Sequence, residues 1–310
     1  MALPGDTAGD GSPTSFRASA VPADVRPRAV HEPTGSRPSS PLASRRSRVE
    51  PSFLMRTGVD APVAASALHD GHALRVDVCA AMGLGDEERL REEDPFTAKW
   101  AEVVETRLIV LRSRFEVDLN RPRERAVYQE PEDAWGLRVW RGTSSPSMVA
   151  ASLAQYDAFY TAAGETLAFM RGQWGRFVVL DLHSYNHRRD GPTAPSADPA
   201  THPEVNIGTS NMDRRRWAPV VDGAISHLRS ADFMGRTLDV RENVKFRGGH
   251  FPQWIHNTFP AHACAIAIEF RKSFMDEWTG TPEATHLEAI RVVLAGLVPE
   301  IEQALDCVGD

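Results

Sequence analysis

The order of apolar runs and amphipathic patterns predicts an α/β fold. The expected form is a single domain with a mainly parallel or mixed twisted sheet and helices on both faces. Three observations carry this expectation. Phe177–Leu182 is an apolar, largely β-branched run of the kind buried on both faces of a parallel sheet. Ser147–Trp174 and Glu283–Leu305 repeat apolar residues at helical spacing. Three strand-like runs also end in polar chemistry: Pro62–Leu68 enters His69-Asp70-Gly71-His72, Phe177–Leu182 enters His183, and His262–Ile268 enters Glu269. In open α/β sheets, ligands bind beyond the carboxyl ends of the strands, so the three ends are expected to converge on one metal site.

Residues 1–50 are rich in Pro, Ser, Ala, Gly and Arg and poor in large apolar side chains. Such a segment buries too little surface to offset its ordering entropy, and we expect a disordered or loosely docked extension. Its arginines Arg37, Arg45, Arg46 and Arg48 are available to a partner, although a solvated tail is the simpler reading. Residues 51–310 form the expected ordered domain. After the 62–68 strand and its turn comes an acidic segment, Gly85–Asp94, then a helix over 95–105. Thr106–Asn120 reads as one long strand with Arg112, Arg114, Glu116, Asp118 and Asn120 on a single face. That face is either solvated or lines a polar site, because burying five such groups unpaired is costly. The helix over 147–174 stops at Gly175, and the strand over 176–182 follows. Residues 184–212 read as a proline-rich loop of the length expected for a lid or mouth. A helix over 214–228, a strand over 238–244, a loop over 245–260 bearing Gly248-Gly249-His250-Phe251, a strand over 263–270 and a helix over 283–305 complete the chain.

The 310 residues are 42% hydrophobic and 25% charged, enough for a sizeable core. A net charge of −7 argues against a phosphate-dominated nucleic-acid binder. Cys79, Cys264 and Cys307 have no paired spacing, which reads as a reducing compartment without disulfides or a CxxC metal site. No apolar run approaches the ~20 residues that span a bilayer, and the N-terminus lacks a basic segment followed by an apolar one. The expectation is a soluble cytoplasmic protein with no membrane partner. Nothing in the sequence specifies an oligomeric state.

His69 and His72, three apart in a turn, are placed to share one divalent cation, and His183 is the candidate third ligand. Three protein ligands leave a position open, as in catalytic zinc sites. Glu269 follows Ala265-Ile266-Ala267-Ile268 on an apolar strand. An ionisable group there reads as a general base, the alternative being a Glu paired with Arg271 or Lys272. Arg114 reads either as an oxyanion donor or as a partner of Glu116 or Asp118.

Four short motifs occur in an order that resembles the zinc carboxypeptidase superfamily, and within it the N-formylglutamate amidohydrolase family. They are His69-Asp70-Gly71-His72, Asp118-Leu119-Asn120-Arg121, Asp181-Leu182-His183-Ser184-Tyr185 and Ile268-Glu269-Phe270-Arg271. The resemblance spans roughly residues 60–280 and implies a zinc carboxypeptidase/phosphorylase-hydrolase-like fold. It implies one Zn2+ held by His69, His72 and His183, with Glu269 moving protons and Asn120 and Arg121 gripping a substrate carboxylate; Asp181, two residues before His183, reads as orienting a ligand histidine. The implied substrate is a small N-acyl amino acid, N-formylglutamate-like, cleaved to the free amino acid and a small acid. The departure is at His72, where the superfamily carries Glu; Glu93 is the competing third ligand. A zinc carboxypeptidase or peptidoglycan amidase on the same scaffold, and a non-catalytic binding relative, are the alternatives.

Overall fold

The computed structural model of the chain describes residues 51–309. Among them, strands β1 (Phe53–Arg56), β2 (Val63–Ala67), β3 (Thr106–Val110), β4 (Phe177–Tyr185), β5 (Val205–Gly208), β6 (Val240–Glu242) and β7 (Ala263–Arg271) form one sheet. Its order is β1-β3-β2-β4-β7-β5-β6. The central strands β3, β2, β4 and β7 are mutually parallel. β1 is antiparallel to β3 on one side, and β5 is antiparallel to β7 on the other. The sheet is therefore mixed, around a parallel centre.

The helices are α1 (Val76–Ala81), α2 (Asp86–Glu92), α3 (Thr97–Trp100), α4 (Pro146–Trp174), α5 (Ala218–Ser230), α6 (His250–Thr258) and α7 (Ala284–Asp306). Every residue of β4 is buried, and its alternating side chains feed two cores. Val178, Leu180 and Leu182 pack with residues of α5 and α7, such as Val221, Leu228, Leu294 and Ile301. Phe177 and Val179 pack with residues of α4 and α6, such as Phe159, Leu167, Phe251 and Ile255. Each such side chain contributes about 1.5–3 kcal/mol by leaving water. Helices on both faces are what make the continuous apolar run of β4 stable. α4 starts at Ser145, whose hydroxyl accepts from the Met148 N–H, with Pro146 in the first turn, and stops at Gly175 with φ +71°.

Several elements differ from the sequence expectation. The strand expected over 106–120 ends at Val110, and residues 111–120 run as bridge and turns. Their polar side chains are paired inside the protein: Glu116 accepts from the Arg75 backbone and side chain and from Gln155. The loop expected over 184–212 contains β5, a four-residue strand too short to show a pattern. The loop expected over 245–260 contains α6, which tolerates Pro252 because the proline lies in the first turn, where its missing N–H has no partner to lose. Strand β1 also had no counterpart in the sequence reading. The extension expected over 1–50 lies outside the described residues. Among the described residues, no helix is long and apolar enough to cross a membrane.

Candidate active site

Parallel pairing of β2, β4 and β7 sets their carboxyl ends at one edge of the sheet. His69 follows β2, while His183 and Glu269 lie opposite each other in register on β4 and β7. Asp94 joins them from the segment after α2, its N–H donating to the His69 carbonyl at 2.8 Å. His69, Asp94 and His183 are all buried, and one donor atom from each lies within 4.8 Å of the others. The imidazoles are set in the same way. His183 Nδ1 is 2.9 Å and His69 Nδ1 is 3.3 Å from Asp94 Oδ2. Their outer nitrogens are anchored by carboxylates, His183 Nε2 3.0 Å from Asp181 and His69 Nε2 2.7 Å from Asp118. Asp181 in turn accepts from the Ser66 hydroxyl at 2.7 Å. Outer carboxylates of this kind fix ring orientation and raise the basicity of the inward nitrogen.

The electrostatics follow from this packing. Burial pushes the Asp94 carboxyl up, but the hydrogen bonds and charges of His183 and His69 outweigh it and hold Asp94 below the usual range. Burial pushes His183 down, and Asp181 and Asp94 overcome it and hold the ring well above its ordinary value. Glu269 is the opposite case. Its carboxyl takes no hydrogen bond from the described residues, and desolvation pushes it up to about 8 despite the nearby His183.

These groups line a cavity of about 200 Å³, together with Arg114, Asn120, Trp135, Arg189, Arg247, Gly248, Gly249 and Lys272. Arg114 is pinned: it donates to Asp118 at 2.9 Å, to the Tyr128 hydroxyl at 3.2 Å and to the Glu92 carbonyl at 3.3 Å. It also lies over the Trp135 ring at 4.9 Å. Lys272 donates to the carbonyls of Arg91 and Glu93, tethering the segment that presents Asp94. Gly249 is needed for close approach, because a Cβ there would meet the Asn120 side chain at 2.2 Å.

The family model for N-formylglutamate amidohydrolase matches residues 61–275, which include all of these groups. The chain belongs to the N-formylglutamate amidohydrolase family. Among solved structures it is similar to an N-formylglutamate amidohydrolase from Ralstonia eutropha JMP134, with a TM-score of 0.62 and 16% identity over 83% of this chain and 98% of that one. It is also similar to a gene product of Agrobacterium tumefaciens, with a TM-score of 0.57 and 19% identity over 84% of this chain and 96% of that one. At these identities the likeness carries the fold. The search of curated proteins gave no match.

Within this family member, the structure gathers His69, His183, Glu269, Arg114 and Asn120 on one cavity. It does not bring His72 there. His72 is 39% exposed, with Nδ1 2.5 Å from Glu93 and Nε2 3.0 Å from Arg89. Glu93 is turned the same way, toward His72, Arg89 and Ser113. The acidic side chain that lies beside His69 and His183 is that of Asp94, while the expected His72 and Glu93 lie elsewhere. The reason is local: Glu93 has extended backbone (φ −81°, ψ 172°), so its side chain and that of Asp94 point to opposite sides. Pro95 favours an extended Asp94 as well. Arg121 does not line the cavity. It donates to the Asp133 carbonyl at 2.6 Å and lies over the Tyr128 ring at 4.6 Å. Sequence reasoning also missed Trp135, Arg189, Arg247 and Lys272, whose only common property is where the fold puts them.

Proposed function

We propose that this chain hydrolyses the amide bond of a small N-acyl amino acid, N-formylglutamate-like, with one divalent metal ion. The observation that carries the reading is the His69–Asp94–His183 cluster beside Glu269, which has no hydrogen-bond partner among the described residues, in one cavity. The donor set fits a cation, since two imidazoles turn their Nδ1 atoms toward one carboxylate while their Nε2 atoms are held from outside. Two histidines and a carboxylate with an open side suit catalytic zinc, and an amide hydrolysis needs no redox metal, so zinc is the ion we propose. Bound there, it supplies Lewis acidity that acidifies water and polarises an acyl oxygen.

The chain's own groups account for the rest. Glu269, as its carboxylate, takes a proton from the attacking water and delivers one to the departing amine. Arg114 is held rigid by Asp118 and Tyr128 and offers fixed N–H groups to the negative charge that develops on the acyl oxygen. Asn120 shapes the wall beside His183, its Nδ2 3.4 Å from Nε2. The small cavity favours a single amino-acid derivative over a peptide or glycan strand. A cytoplasmic setting belongs to the same proposal and is supported by three free cysteines.

The test is elemental analysis of the purified protein together with amine release from N-formylglutamate and from a blocked dipeptide. We expect about one metal per chain, release from the first substrate, and a Glu269→Gln variant that keeps its metal but turns over about 10²–10⁴-fold more slowly. Cleavage of the dipeptide alone would move the chain to the peptidase reading. Metal without turnover of either substrate would make it a binding relative.

A further inference from the structure

Four cations line the cavity: Arg114, Arg189, Arg247 and Lys272. Three are committed. Arg114 is held by Asp118, Tyr128 and the Glu92 carbonyl and serves the acyl oxygen in the proposed reaction, and Lys272 is held by the carbonyls of Arg91 and Glu93. Arg189 forms a two-pronged pair with Glu92 at 3.1 and 2.8 Å. The guanidinium of Arg247 has no partner among the described residues, and its side chain is exposed. Its backbone, in contrast, is tightly placed. The Arg247 carbonyl accepts from Ser210 at 2.8 Å, and the Gly249 carbonyl accepts from Asn211 at 2.9 Å. Gly248 has φ +107°, and a Cβ on Gly208 would meet its backbone nitrogen at 2.5 Å. A fixed base with an uncommitted, exposed fork suits a group that binds something arriving from solvent.

We propose that Arg247 grips a carboxylate of the substrate at the mouth of the cavity. The proposal rests on the amidohydrolase reading above. A carboxylate is the ligand of matching shape and charge, since the guanidinium presents two parallel donors. A cation there also favours an anionic substrate, because the carboxyl groups of Glu92, Asp94 and Glu269 line the same cavity. Arg121, the arginine expected for this task, is turned to Asp133 and Tyr128. The carboxylate gripped is either the α-carboxylate or one on the side chain.

The test compares wild type with Arg247→Gln on N-formylglutamate, on its α-amide and on its side-chain amide. We expect kcat/KM on N-formylglutamate to fall about 10- to 100-fold, mostly through KM. The loss should largely disappear on the amide that lacks the gripped carboxylate, which identifies the carboxylate. Because each comparison is a ratio within one variant, a general loss of folded protein cancels. Equal losses on all three substrates, or no loss on any, would overturn the assignment. Calorimetry with glutarate, a dicarboxylate with no bond to cleave, reads the anchor apart from the reaction. R247Q should weaken glutarate binding about tenfold or more, and unchanged affinity overturns the proposal. If wild type binds glutarate through Arg247 yet cleaves no N-formyl substrate, the catalytic reading fails and the anchor stands.

Discussion

Asp94 illustrates how narrowly a site can turn on one residue. It lies one position from Glu93, in the acidic run Glu92-Glu93-Asp94, and shares its charge. Extended backbone sends the two side chains opposite ways, so Glu93 faces His72 and Asp94 faces His69 and His183. A removal experiment therefore discriminates sharply. Asp94→Ala should lose most of its bound metal on dialysis, because only two buried imidazoles remain, whereas His72→Ala should keep it. Elemental analysis of both variants reads the difference. Retention in Asp94→Ala with loss in His72→Ala would restore the ligand set that the histidine spacing suggested.

At the scale of elements, α6 and the glycine pair before it position one wall of the cavity. The Asn120 Oδ1 accepts from the Phe251 N–H at 2.9 Å, so its side chain cannot swing freely away from Gly249. Gly249→Ala should therefore force this contact apart, costing about 1–3 kcal/mol as an overpacked site does. Both a lowered melting temperature and a lowered kcat/KM are expected, and a variant equal to wild type in both would show that Asn120 yields without consequence. The other end of α6 is tied to the sheet through His256, whose Nε2 accepts from the Ala265 N–H at 2.9 Å. Burial pushes this imidazole down to about 4 from an ordinary 6.5. Between those values the unfolded chain binds a proton that the folded chain refuses, so stability rises with pH there. The contribution is complete above pH 6.5 and is lost as pH falls toward 4. The expected loss is at most about 3 kcal/mol. Denaturant titrations at pH 6.5, 5 and 4 should show a flatter acid limb in His256→Asn, whose amide oxygen still accepts from Ala265. Parallel limbs in the two proteins would assign the acid sensitivity elsewhere.

For the whole molecule, the cluster ties β2, β4 and the segment after α2 to one point, so the proposed metal would couple its binding to folding. An ion held at 1,000 times its Kd adds about 4 kcal/mol to the stability of the folded chain. The chelated protein should melt at a lower temperature and recover on adding zinc, and Asp94→Ala should show little of that recovery. An identical melting curve with and without chelator would mean that no such linkage exists.

Much of this was legible in the linear chain. The apolar run of β4 needs both faces covered, and the long amphipathic repeats of α4 and α7 supply cover, so an α/β sheet follows from burial alone. His183 and Glu269 continue such runs, and a polar group at the end of a buried strand stands out against its neighbours. These properties are local, because each depends on a period of two or 3.6 residues within one segment. What tertiary structure decided is non-local. The periodic polar face over 112–120 looked like a strand, yet these residues turn inward, and Asp118 anchors His69 across 49 positions in sequence. Arg121 and Arg247 are chemically the same residue, and only the fold sends one to Asp133 and leaves the other without a side-chain partner among the described residues at the cavity. Periodicity specifies which side of its own element a residue occupies. Which other element it meets there depends on strand order and loop path, and neither is a property of any single stretch of sequence.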